Sequence, residues 1–192
     1  MQRASVASVA DNERDARRFA AMLRGLADLD KPSIARVQGA ALGGGTGLAA
    51  ACDICIASED AVFATSEVKF GIIPAVISPY VLRAIGARQA YRYFQSAERI
   101  PAARALEIGL VHELVALDAL DAKVAEVAGA LLGCGPKAQA AAKDLIRAVA
   151  ERPISDEVVE QTAQRIARQR ATSEAQEGFA AFLQKRSPTW MS

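Results

Sequence analysis

Between Gly39 and Asp53 the chain reads GAALGGGTGLAAACD, with glycine at 43, 44, 45 and 47 inside an otherwise apolar run. Glycine inside regular structure costs roughly 0.5–1 kcal/mol relative to alanine, so such a run marks backbone that something must approach closely. SIARVQG before it reads as a strand and TGLAAACD after it as a short helix. That order puts a helix N-terminus at the glycines. First-turn N–H groups have no carbonyl partner within the helix, and the dipole adds positive potential. The place suits an anion or an oxygen on which negative charge develops.

Two chemistries use this device. One is a dinucleotide site: Gly45-Thr46-Gly47-Leu48-Ala49-Ala50 fits G-x-G-x-x-A, and Glu67 follows at about the distance of a ribose-binding acid. Only a turn or so of helix fits before the DICIAS segment, and the lysine of a phosphate-binding P-loop is missing. The other is an oxyanion hole, in which a backbone N–H stabilises charge on a carbonyl oxygen.

The remaining reactive side chains are sparse. Cys52 and Cys55 form a C-x-x-C with no second ligand pair, Cys134 is remote, and an odd cysteine count suits a reducing compartment. On a strand, residues three apart point to opposite faces, so these cysteines read as small buried hydrophobes rather than a metal or redox pair. His112, the single histidine, lies in GLVHELV and reads as a strand residue. A zinc site or a serine triad would need more partners, and no metal is expected. Lys185 and Arg186 suit either a phosphate-bearing ligand or the C-terminal end of a helix.

These residues must be positioned by an α/β core. A helix is expected over Asp11–Asp30, with Phe19, Met22, Leu23, Leu26 and Leu29 as its apolar stripe. Strands follow at SIARVQG, ICIAS, AVFATSEV and LVHELV. Helices are expected over Tyr80–Phe94, with a break near Gly86, and after Pro101. Their alternation predicts parallel pairing. GCGP at 133–136 is strong punctuation, and everything after it is helical in pattern. The chain therefore divides into a core over 1–135 and a helical region over 136–192. Ser173 and Gln176 have the spacing of a capping box.

Composition bounds the partners. Lysine plus arginine number 23 against 22 acids, a net charge of +1, which offers no footprint for nucleic acid and no polybasic membrane patch. The uncharged stretch Val37–Cys52 is shorter than the ~20 apolar residues of a membrane span. Met1-Gln2-Arg3 leads into no signal-like apolar segment, so a cytoplasmic protein is expected.

The segments KPSIARVQGAALGGGTGLAAACDICIAS, FATSEVKFGIIP, RYFQSAERIPAARALEIGLVHELV and EGFAAFLQKRSPTW together resemble the enoyl-CoA hydratase/isomerase (crotonase) superfamily. The resemblance covers nearly the whole chain from Asp11. SEVKFGIIPAVISPYVLRAIGARQAYRYF looks most like bacterial 3-methylglutaconyl-CoA hydratases. The resemblance implies a ClpP/crotonase spiral of ββα units with a C-terminal helical appendage that builds a homotrimer or dimer of trimers. It also implies an acyl-CoA thioester substrate, with coenzyme A part of the substrate and no separate cofactor.

By the same resemblance, Gly44 would donate its N–H to the thioester oxygen and Glu67 would carry the proton, with only glycine leaving room for the carbonyl at 44. A carboxyl beside an apolar acyl pocket suits proton transfer near neutral pH. Leu42, Gly43, Pro74, Phe179 and Lys185 would contribute to binding the substrate. PAVISPY, 74–80, would line the acyl cavity; Phe179 and Phe182, three apart on the last helix, read as packing residues, and the resemblance implies that this helix borders an acyl pocket, often a neighbour's.

Two departures qualify this. The family's first catalytic glutamate falls at position 47, which here is glycine. A single carboxylate is enough for double-bond isomerisation, and for hydration if the substrate's own carboxylate positions the water. The family also begins with strands carrying an A-G-A-D-like motif that supplies the other oxyanion N–H. Nothing before Asp11 matches it, and MQRASV resembles the segment that follows it. A shortened chain with weak hydratase activity is the expectation.

Overall fold

The computed structural model describes residues 7–191. The opening segment MQRASV lies outside them. The chain forms two compact units, one running through Leu29 and over Ser33–Val124, the other combining Asp30–Pro32 with the chain from Ala125 onward.

In the first unit, helix α1 spans Val9–Ala27 and starts at Ser8, whose hydroxyl accepts the Asp11 N–H. Of the expected stripe, Leu23 is wholly buried and Phe19 and Leu26 pack on the core, while Met22 and Leu29 stay exposed. Burying a leucine side chain contributes about 1.5–3 kcal/mol, so Leu23 is the principal anchor of α1. Asp28, not Lys31-Pro32, ends the helix, its N–H reaching back to Arg24 O and Leu26 O.

The chain then alternates between two three-stranded sheets. Strand β1 (Ile34–Val37) lies in one and β2 (Ala40–Leu42) in the other, before α2 (Gly44–Ala51). The next turn repeats the plan with β3 (Ile54–Ser58), β4 (Val62–Ala64) and α3 (Ser78–Ser96). Register follows the repeat: Ile34 pairs with Ile54 and Ala40 with Val62, both in parallel. These are strand–strand–helix units, as the resemblance implies. A Ser33–Asp53 pair pins the β1–β3 edge: Asp53 Oδ2 accepts from Ser33 N and Oγ, and Ser33 Oγ accepts the Asp53 N–H.

Strand β5 (Ile100–Pro101) runs antiparallel to β4, against the expectation of parallel pairing throughout. It is only two residues long, and α4 (Ala102–Glu107) begins directly after it. Strand β6 (Glu113–Val115) joins β3 in parallel. Phe63, Ile77, Ile100 and Leu110 fill the core. Helix α3 breaks at Gly86, where φ is 70°, as its sequence predicts.

Helix α5 (Leu120–Leu132) leads into the second unit, formed by α6 (Pro136–Val149), α7 (Asp156–Arg170) and α8 (Ser173–Leu183). Helix α6 has no side-chain cap of its own. Instead Glu174 of α8 accepts the Lys137 and Ala138 N–H groups at 2.9 and 2.7 Å. Thr172, not Ser173, caps α8, its hydroxyl accepting from Ala175 N, and the expected Ser173–Gln176 capping box is replaced by this bond. Gln176 instead donates to Arg170 O.

Candidate active site

The glycine run is more than a strand–helix junction. Its first part forms β2, a strand the composition hides, because Ala40-Ala41-Leu42 is short and carries no β-branched residue. Gly43 then turns the chain with φ at 53°, a region open to glycine, and its N–H donates to Ala64 O at 2.7 Å. Gly44 opens α2. Its N–H therefore has no carbonyl one turn back within the helix.

Glu67 comes to this place from the end of β4. It begins a 3₁₀ turn over Glu67–Phe70, where the sequence suggests extended chain, and that turn carries its carboxyl over the glycine. A Cβ on Gly43 would lie 3.2 Å from Glu67 Oε1 and 3.7 Å from Ser66 Oγ. Glu67 Oε2 is buried and, among the described residues, is the buried side-chain polar atom without a hydrogen-bond partner. Such atoms are rare in folded proteins because an unmet acceptor costs about 1–3 kcal/mol, and they ask for an explanation. A helix-start amide and an unpartnered carboxylate oxygen thus flank one glycine.

The neighbours of this pair came from distant chain segments, and no local pattern announces them. A Cβ on Gly44 would meet Phe19 Cζ of α1 at 3.1 Å, so the glycine also makes room for an aromatic ring of its own chain. At Gly47, one turn further along the same face of α2, a Cβ would lie 2.7 Å from Ile77 Cβ and closer still to its Cγ2. No side chain, and no glutamate, fits at 47 while Ile77 occupies that space.

Leu42 ends β2 beside this turn and is partly exposed. Pro74 is buried in the 71–77 connection that delivers Ile77 to α2. Phe179 and Lys185 belong to the second unit. Phe179 is 51% exposed and Phe182 82%, whereas the buried face of α8 is carried by Ala181. Lys185 follows the end of α8 at a φ of 54°. Arg186 grips Glu177 in a two-pronged ion pair at 2.6 and 2.8 Å, which gives it a structural task.

The other reactive residues serve the fold. His112 sits just before β6, accepting the Cys55 N–H at Nδ1 (3.1 Å) and donating its own N–H to Cys55 O (2.8 Å). Cys52 ends α2 rather than sharing a strand with Cys55. Burial, with Cys52 nearby, pushes the Cys55 thiol up to about 12, so it is inert at neutral pH. Among the described residues no three His, Cys, Asp or Glu side chains gather as a metal site, and no helix is long and apolar enough to cross a membrane.

The Enoyl-CoA hydratase/isomerase family profile matches residues 2–192. The chain is 35% identical over 175 residues to a carnitinyl-CoA dehydratase of Citrobacter koseri, covering 85% of this chain and 64% of that protein. Among solved structures, an enoyl-CoA hydratase from Shewanella pealeana superposes with a TM-score of 0.92 at 44% identity, over 97% of this chain and 69% of that one. AtuE of Pseudomonas aeruginosa gives 0.88 at 37% identity, over 98% and 72%. The chain spans less than two thirds of the length of the curated relatives it matches. By sequence along its whole length and by fold, this chain belongs to the enoyl-CoA hydratase/isomerase family.

Proposed function

We propose that the chain acts on an α,β-unsaturated acyl-CoA thioester through an enolate held at Gly44, with Glu67 moving the proton. The observation that carries this reading is the buried, unpartnered Glu67 Oε2, on a carboxyl that lies against Gly43 immediately before the first amide of α2. In hydration, Glu67 takes a proton from water as the water oxygen bonds to the β carbon. The C=C electron pair shifts onto the thioester oxygen, where the Gly44 N–H meets it. Collapse of the enolate then draws the proton from Glu67 to the α carbon. One oxyanion donor is worth about 2.7–4 kcal/mol in well-studied sites.

The substrate favoured is of the 3-methylglutaconyl-CoA type, because its distal carboxylate supplies a polar group that position 47 lacks. Hydration of methylglutaconyl-CoA beside crotonyl-CoA tests this: a marked preference for the former supports the reading, and equal rates remove the role of the distal carboxylate. A second reading, isomerisation of an enoyl-CoA double bond, is favoured by Ile77 filling the space at Gly47. It leaves one carboxylate to take a proton from one carbon and return it to another. Conversion of a 3-enoyl-CoA to its 2-enoyl isomer without net water uptake would establish it. Acyl-CoA binding with neither reaction would point to a binding role instead.

A homotrimer or dimer of trimers is proposed on the state of the second unit. No residue of α6 is buried, α7 buries Val158 and α8 buries Ala181. Phe182 and Leu183 stand in solvent, and an open groove of about 410 Å³ between α6 and α7 is lined by Ala141, Leu145 and Ile166. So much uncovered apolar surface fits a subunit interface. Sedimentation at micromolar protein should give three or six times 20.2 kDa, and a monomer or dimer would refute it.

A further inference from the structure

The hydroxyl of Thr46 occupies a junction that the reaction above does not use. Thr46 is the third residue of α2 and is completely buried. Its Oγ1 lies 2.6 Å from Ala41 O and 3.0 Å from Ala64 O, and it accepts the Ala64 N–H at 3.2 Å. A threonine hydroxyl has one proton and two lone pairs, so it shares its proton between the two carbonyls while receiving the amide.

The location gives these bonds their meaning. The ladder between β2 and β4 pairs Leu42 with Ala64 and ends there, because the chain turns at Gly43. The Thr46 side chain takes over at that point, bonding both polar groups of Ala64 and the carbonyl of Ala41 at once. Ala64 O also receives the Gly43 N–H. One residue, Ala64, thereby anchors the turn that presents the Gly44 amide and the segment that leads, three residues on, to Glu67. From the other side Thr65 donates to Tyr93 O of α3 at 2.9 Å, so this segment is held at both of its flanks.

We propose that Thr46 is the positioning residue that fixes the Gly44 amide and the Glu67 carboxyl at their working separation, an inference that rests on the oxyanion reading of that site. Thr46 touches no substrate. It acts by keeping the strand-to-helix turn and the end of β4 as one rigid piece, so that donor and proton carrier cannot drift apart.

Thr46→Val keeps the shape and removes the hydroxyl, whereas Thr46→Ser keeps the hydroxyl. The first readout is exchange of the α-hydrogens of butyryl-CoA with deuterated water, which reports enolisation without any double bond to hydrate. Displacement of about 1 Å at a reacting centre costs on the order of 10²-fold, so Thr46→Val should slow exchange by about 10- to 100-fold with little change in half-saturation. Thr46→Ser should recover most of that rate. Exchange at the wild-type rate in Thr46→Val overturns the proposal, as does equal loss in both variants that merely follows their melting temperatures.

The second readout needs no reaction. Amide hydrogen exchange at Gly43 and Ala64 should quicken in Thr46→Val and stay slow in Thr46→Ser. If wild type neither exchanges α-hydrogens of butyryl-CoA nor converts an enoyl-CoA, the proposed function fails while this second arm still decides. Unchanged protection of the two amides in Thr46→Val then overturns the anchoring role, and selective loss supports it.

Discussion

The carboxyl of Glu67 lies over Gly43, close enough that a Cβ on the glycine would stand 3.2 Å from its Oε1. Twenty-odd residues of chain separate the two, and the parallel pairing of β2 with β4 closes that distance. The pairing delivers a carboxyl and a helix-start amide to the same spot.

Replacing Glu67 by glutamine removes the carboxyl that we propose carries the proton and keeps the shape. General acid–base groups contribute about 10²–10⁴-fold, and a loss of that size is expected in turnover of the enoyl thioester. Binding of a saturated acyl-CoA, measured by calorimetry, should persist. A variant that turns over at the wild-type rate would remove Glu67 from the chemistry.

Gly47 and Ile77 form an interlocked pair. Gly47→Ala drives a methyl into Ile77, and overpacking of this kind costs typically about 1–3 kcal/mol. Adding Ile77→Ala empties the contested space, so the double variant should be less destabilised than the two single effects added together. Urea denaturation of the four proteins measures this. Simple additivity would mean the two residues do not meet.

This pair shows where reading the chain reached its limit. The strand before the glycines, the helix after them and the kink at Gly86 were legible, because they depend on local punctuation and periodicity, whereas Gly44 and Glu67 were singled out only by the family resemblance. Phe19 over Gly44 and Ile77 beneath Gly47 were not, since each partner lies 25 or more residues away and is ordinary in its own context. The cap of α8 failed for a finer reason: Thr172 and Ser173 are both good N-caps, and only the backbone conformation selects Thr172. Strand β2 was invisible because two alanines and a leucine carry no strand signature.

Three cysteines should separate by reactivity. Cys134 is exposed, Cys52 half-buried and Cys55 buried, with its thiol held up at about 12. Alkylation with iodoacetamide at pH 8 should label Cys134 first and Cys52 next, while Cys55 reacts only on unfolding. Prompt modification of Cys55 in the native protein would contradict its burial.

The Glu177–Arg186 pair should give an acid-sensitive element of stability. Arg186, with help from Thr189 N–H, holds the Glu177 carboxyl down from its ordinary value of 4.5 to about 2. The folded state therefore binds this proton less readily than the unfolded chain. Its contribution is complete above about pH 4.5 and fades as pH falls toward 2. Glu177→Gln should flatten that part of the melting-temperature profile. An unchanged acid limb in the variant would place the dependence elsewhere.

The grip of Glu174 on the first amides of α6 ties a helix start to a side chain 36 and 37 positions downstream. During synthesis α6 emerges with its leading N–H groups bare and must wait for α7 and the first turn of α8 before they are satisfied. Assembly of this helical region is thus completed backwards, its earliest member being the last to be finished, and cutting the chain anywhere before 174 would leave that member frayed at its beginning.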